Sequence, residues 1–319
     1  MEMSTLQTIR IRQVETALLP QSGNSVRNRT SELARQKQSL EAQMADHRRE
    51  HDELRRTLFE AAQVQRKLCG PRQLRRESFE VAAELFPVRH LSGDFISVFE
   101  IGDDLLVAIG DIAGKGLPAA MWFTQLLGMV RLYCASHRDP AAVLSAMNAS
   151  LLATALEAPL TTMFLARLHV PTGRVTYCVA GHPPALLVRE DTAIVTLDEG
   201  GPPLGALSGA EYKSAHTGLG PGDILVGYSD GILEAHNPGC EEFGVTRLME
   251  AVSSAASLSA SGTLFSVLAA VESFTHHQPR EDDFALVVVR RHASAAASAP
   301  SIRPQSATVR QPRFRKAGR

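Results

Sequence analysis

Residues 107–121 read VAIGDIAGKGLPAAM. An apolar run ends in a lone carboxylate, Asp111. Two glycines flank Lys115, and a helix-like stretch opens at Leu117-Pro118. Three readings fit such a strand–turn–helix: a capping acid, a phosphate loop, or a metal ligand with permissive backbone around it. The phosphate-loop pattern needs four residues between its first glycine and the Gly-Lys pair, then Ser or Thr. Here only three separate Gly110 from Gly114, and Gly116 follows Lys115, so the spacing disfavours it.

Outward from this stretch, short alternating strands dominate from about residue 78. FEVAAELF, DFISVFEI and DLLVAIGD precede it, and helices are expected over roughly 117–136 and 139–156, the second opened by Asp139-Pro140. TTMFLARLHV, RVTYCVAG, PALLVRE, AIVTL, ILVGYS and FALVVVRR read as further strands. Pro171-Thr172-Gly173 turns the first two of these into a hairpin. FGVTRLMEAV and SVLAAVESF look helical. Successive β-meanders with helices held apart argue α+β: two stacked antiparallel sheets covered by helices.

Toward the N-terminus the pattern changes. Neither Gly nor Pro occurs between Gly23 and Gly70. Leu33, Leu40, His47, Leu54, Ala61 and Leu68 recur every seven residues, with Met44, His51 and Leu58 as the intervening set. This a/d seam predicts a long helix pairing as a coiled-coil homodimer through residues 31–68, with His47 and His51 at its middle. Residues 1–30 carry no clear signal. The expected division is therefore an undefined segment 1–30, a helical coiled-coil segment 31–77, an α+β domain 78–292, and a disordered basic tail 293–319. The tail holds six Arg/Lys and no acid.

Bulk properties narrow the function. The 319 residues are 44% hydrophobic and 21% charged, with net charge −1, so no nucleic-acid footprint shows. The apolar runs are of strand length and too short for membrane insertion, and the stretch MEMSTLQTIRIRQ lacks the apolar core expected of a signal peptide. Four scattered cysteines without a CxxC pair disfavour a disulfide framework or zinc, and suit a reduced, cytoplasmic protein.

Several acids share one placement, each at the end of an apolar strand beside a glycine or turn. They are Asp94 before FISVF, Asp111 after LLVAIG, Asp230 after ILVGYS, and Asp282-Asp283 before FALVVV. Singly, each is an ordinary turn or cap residue. Together, in stacked sheets, their strand ends can meet at one edge. Unpaired charges buried there are prohibitive, and hard divalent cations with oxygen ligands resolve the conflict. Such a site supports hydrolysis with two cations about 4 Å apart.

SGDFISVF, GDIAGKGLPAAM, AGHPPALL, PPLGAL, GDILVGYSDGILEA, EEFG and EDDFALVVV follow one another in that order. In this order the chain resembles the SpoIIE-like branch of the metal-dependent protein phosphatases (PPM superfamily) over roughly residues 78–291. The resemblance implies an αββα sandwich and an Mn²⁺- or Mg²⁺-dependent protein serine/threonine phosphatase with two ions. Its implied substrate is a phosphorylated anti-anti-sigma (STAS-type) protein in a partner-switching pathway. It implies Asp94, Asp111, the Ile112 carbonyl, Asp230 and Asp282 as metal ligands, with Asp283 the alternative to Asp282. The resemblance also implies that Asp111 is the acid bridging both metals and that Asp111 and Asp230 carry catalysis. Lys115 and His182 are candidate substrate contacts, His182 also a candidate proton donor. Ser92, Lys115, Ser229 and Ala285 depart from the family's usual Gly, His, Thr and Thr. Residues 61–72, AAQVQRKLCGPR, resemble the segment linking a sensor or coiled coil to the catalytic domain. The competing readings are a catalytically silent module on the same fold, acting as a binding scaffold, and an unrelated phosphate- or nucleotide-binding protein.

Overall fold

The computed structural model describes residues 3–154 and 157–292, with side chains from residue 27 onward. The basic tail lies outside the described residues. The chain divides into two units, Met1–Val64 and Gln65–Arg319.

In the first unit the chain is helical from its third residue. Helix α1 spans Met3–Leu68 and passes through Pro20 and Gly23 without a break, so it begins well before the expected start. Leu33, Leu40, Met44 and Leu54 on its seam are each half or more exposed. Polar neighbours on the helix pair along it, as in Lys37–Glu41 and Asp46–Arg49. His47 pairs with Glu50 one turn on.

The second unit is the expected two-sheet sandwich. One sheet orders β1 (Gln73–Arg76), β2 (Phe79–Phe86), β12 (Phe284–Arg291), β11 (Ile224–Tyr228), β7 (Ala185–Val188) and β8 (Ile194–Leu197). The other orders β10 (Ala215–Gly218), β6 (Arg174–Ala180), β5 (Thr161–His169), β4 (Asp104–Ile112) and β3 (Phe95–Ile101), with β9 (Gly200–Gly201) beside β6. All pairings are antiparallel except that of β9 with β6. Helices α2 (Leu117–Ser136) and α3 (Pro140–Leu152) cover the second sheet. α5 (Gly244–Ser254) and α6 (Ala260–Phe274) cover the first.

The apolar runs are continuous because both strand faces are buried. On β12, Ala285, Val287 and Val289 face the core between the sheets. Phe284, Leu286 and Val288 face the helices, with Leu264, Val267 and Val271 of α6. Strand β1 places the sheet's edge before the expected domain start at residue 78. Among the described residues, no helix is long and apolar enough to cross a membrane.

The opening stretch folds as strand, turn and helix. Gly114 and Gly116 take φ of +108° and +83°, and a Cβ added at either would meet nothing within 4 Å. The glycines are thus needed for their backbone angles rather than for close approach. Pro118 sits in the first turn of α2, where its missing N–H costs no helical bond.

Candidate metal centre

The two sheets bring distant acids to one edge. Asp94 immediately precedes β3, and Asp111 is the penultimate residue of β4, opposite Thr162 of β5. Asp230 opens the four-residue helix α4 (Asp230–Leu233) directly after β11 of the other sheet. Ser229 ties the end of β11 to β12: its N–H donates to the Ala285 carbonyl at 3.0 Å, and its hydroxyl accepts from the Ala285 N–H at 2.9 Å. One oxygen each of Asp94, Asp111 and Asp230 lie within 4.8 Å of one another.

This cluster is electrostatically unbalanced. Among the described residues, no basic side chain forms an ion pair with any of these three acids. Burial, then the charges of Asp111, Asp283 and Asp230, push the Asp94 carboxyl well above its usual range, with the Ser229 hydroxyl offsetting part. Burial, then the neighbouring Asp230, raise Asp111 to about 6. Asp94 is 2% exposed, yet its Oδ2 has no hydrogen-bond partner. An orphaned carboxylate oxygen in such a place is costly.

The donor set fits a hard divalent cation: all oxygen, with no His or Cys among the three. Gly93 clears space for it. A Cβ there would lie 3.1 Å from the Ile112 carbonyl oxygen and 3.3 Å from both Asp111 Oδ1 and the Gly114 carbonyl oxygen. The Ile112 carbonyl therefore does open beside the Asp111 carboxylate.

The two adjacent acids before β12 take different tasks. Asp283 is bound into the scaffold. Its Oδ1 accepts from Val88 N–H at 2.7 Å, and its Oδ2 accepts from the Ser92 hydroxyl and Gly93 N–H, both at 2.8 Å. Asp282 stands outside the three-acid group. Its Oδ2 accepts from Lys115 Nζ at 2.9 Å and its Oδ1 from the Asp283 N–H. Lys115 thus meets an acid beside the three-acid group, and this hydrogen bond raises its own pKa.

His182 lies where a proton donor to bulk substrate would not. It is buried, its Nδ1 is 2.9 Å from the Thr162 hydroxyl, and burial pushes its pKa down to about 3, the Tyr228 backbone offsetting part. A buried imidazole bracing the residue opposite Asp111 fits a scaffold group better than the expected proton donor. Sequence reading also passed over Gln65. Its Nε2 donates to the Ser92 carbonyl at 2.8 Å and its Oε1 accepts from the Ser92 N–H at 3.1 Å, which fixes the loop carrying Asp94. A polar residue near the end of a polar helix carries no local signal of such a contact.

The raised carboxyls set a pH dependence. Between an unfolded value near 4 and about 6, the cation-free native state binds more protons at Asp111 than the unfolded chain does. The stability this contributes is complete below the unfolded value and is lost as pH rises through about 6. Protons and a cation compete for the same oxygens. The rise in Tm on adding Mn²⁺ to chelator-treated protein should be small at about pH 5 and large at about pH 7. An Mn²⁺ effect that is larger at the lower pH would contradict the assignment.

Comparisons with known proteins place the chain in one sequence family and one fold. The family model described as stage II sporulation protein E (SpoIIE) matches residues 101–292, more than half of the chain. The phosphoserine phosphatase RsbU of Bacillus subtilis (strain 168) is 27% identical over 234 residues, which is 72% of this chain and 69% of that protein. The crystal structure of the RsbU and RsbW domains of Rv1364c from Mycobacterium tuberculosis superposes with a TM-score of 0.60 at 26% identity. That match covers 68% of this chain and 61% of that one. The SiaA-PP2C domain of Pseudomonas aeruginosa, at 19% identity and a TM-score of 0.64 over 75% of this chain and 98% of its own, shares the fold.

Proposed function

The chain belongs to the SpoIIE family, and from that premise we propose that it hydrolyses phosphoserine or phosphothreonine on a regulatory protein. One observation carries the reading: three acids from two different sheets converge, unpaired, at one edge of the sandwich. Asp94, Asp111 and Asp230 would hold Mn²⁺ or Mg²⁺, two ions in all, with the Ile112 carbonyl and Asp282 completing the set. When bound, the cations would supply a water of lowered pKa and charge stabilisation at the phosphoryl oxygens.

The chain's own part is positioning. Asp111 and Asp230 project from strand ends whose register is fixed by buried sheets on either side. Asp283, Ser92 and Gln65 hold the loop of Asp94, so the acids meet without reorganisation at the moment of reaction. No covalent phosphoenzyme is needed. Burial raises the thiols of Cys69, Cys134 and Cys178, which makes them poor nucleophiles.

The substrate on this reading is a phosphorylated STAS-type protein. The kinship with a phosphoserine phosphatase, and with a protein that joins RsbU and RsbW domains, supports a partner-switching pathway. Residues 31–68 pair two chains, because an exposed seam of Leu and Met on so long a helix calls for a partner. Residues 61–72 then connect this segment to the catalytic domain.

Purified protein should hydrolyse p-nitrophenyl phosphate and a phosphorylated STAS protein only with Mn²⁺ or Mg²⁺, and Asp230→Asn should remove both activities. Phosphate release that persists in chelator would sink this reading. A folded, cation-binding protein that releases none would be the silent scaffold instead. Removing residues 1–60 should turn the dimer into a monomer by light scattering.

A further inference from the structure

Lys115 stands where a cation is wanted. The glycines at positive φ on either side of it swing residues 114–116 across the gap between the sheets, from the end of β4 to the start of β12. There its Nζ meets Asp282 Oδ2 at 2.9 Å and faces the Glu281 carbonyl oxygen at 3.5 Å. The contact joins residues 167 positions apart. Asp283, one residue on, is instead bound to backbone and hydroxyl donors, with no lysine partner among the described residues. Of the acids proposed as cation ligands, Asp282 is therefore the one that already holds a positive charge.

We propose that Lys115 is a tethered counter-cation that occupies Asp282 in the metal-free protein, competes with the divalent ion for that carboxylate, and on release turns to the substrate's phosphate dianion. The inference builds on the metal-dependent reading above. Three observations carry it. The Lys115–Asp282 pair is about half exposed on both sides, so it can open without breaking the core. Its worth is small, as for other exposed pairs, and a doubly charged cation outbids a single ammonium at a carboxylate. Finally, Lys115 and Asp282 line one cavity of about 250 Å³ with Gly231, Glu234, His236 and Arg280. A freed ammonium stays on the wall of that cavity, which also carries Gly231, the residue after Asp230. Loading the cation thus prepares a positive group for the substrate, and the order of binding becomes cation first, phosphoprotein second.

The test compares wild type, Lys115→Met and Lys115→Arg, with Mn²⁺ as the probe. Side-chain exposure of 55% at Lys115 leaves folding unaffected. Calorimetric titration of Mn²⁺ into chelator-treated protein should give a Kd about three- to tenfold tighter for Lys115→Met, since the competitor is gone. The same variant should show a KM for the phosphorylated STAS protein raised about tenfold or more. Lys115→Arg should restore both values toward wild type, because it keeps the charge. An unchanged or weaker Mn²⁺ isotherm in Lys115→Met overturns the proposal, as does an Arg variant that behaves like Met. If wild type itself binds no Mn²⁺, the metal-dependent reading fails first, and that result is distinguishable from the failure of Lys115 alone.

Discussion

Asp111→Asn should abolish turnover and at the same time make the metal-free protein more stable. The two effects have one origin. Asp111 lies at the tip of β4 with one oxygen within 4.8 Å of oxygens of Asp94 and Asp230, and no basic side chain pairs with it among the described residues. At neutral pH its ionised form is held against burial and against Asp230, which is why its pKa is raised to about 6. Asparagine keeps the shape and removes the charge. In the absence of cation, this relieves repulsion, and Tm should rise by about 2–4 °C, corresponding to about 1 kcal/mol. In the presence of Mn²⁺ the carboxylate's attraction is lost with its charge. Turnover of p-nitrophenyl phosphate should fall on the order of 10³-fold, several kcal/mol of transition-state stabilisation. Melting curves in chelator and initial rates in Mn²⁺ measure the two halves. A metal-free protein less stable than wild type would mean that Asp111 is a structural acid and not a charge awaiting a cation.

Asp283→Ala should do the reverse: it should cost stability first and activity through it. The Asp283 carboxylate accepts from three donors of the segment 88–93, two of them on the fully buried Ser92 and the buried Gly93. Alanine leaves these donors without partners, at about 1–3 kcal/mol each for a group that stays buried, so a loss of about 3 kcal/mol is expected in urea melts. The freed segment carries Asp94 at its end. Mn²⁺ affinity should therefore weaken about 10–100-fold, as when the group orienting a ligand is removed. Asp283→Asn keeps one acceptor oxygen and should fall between. Asp282→Ala, next in the chain but about half exposed, should leave the urea midpoint near wild type. Equal destabilisation by the two alanine variants would refute the division of labour between these neighbours.

That division shows where local reading stops. Both aspartates precede the same strand and look alike in EDDFALVVV. Their tasks depend on Lys115 and on the Ser92 loop, each more than 160 residues away. The same holds for His182, whose Gly-His-Pro-Pro setting suggests a surface contact, while packing buries it against Thr162. Among the described residues, three strands are missed by pattern. Gln73–Arg76 is short and mostly polar, Gly200–Gly201 has no side chains to alternate, and Ala215–Gly218 has no buried residue. Helix α1 starts at Met3 although Pro20 and Gly23 argue locally for a break.

By itself, the sequence determined the kind and order of most elements and the presence of an acid at each of several strand tips. Apolar periodicity, glycine and proline act over a few residues, so they are legible without the fold. Only the tertiary structure decided which acids share a site, which serve as scaffold, and which already hold a cation. Those outcomes depend on the register of β4 against β5 and of β11 against β12, and on the stacking of the two sheets that bears Asp111 toward Asp230. Burial and charge act through space there, and Asp111 meets Asp230 across more than a hundred positions of chain.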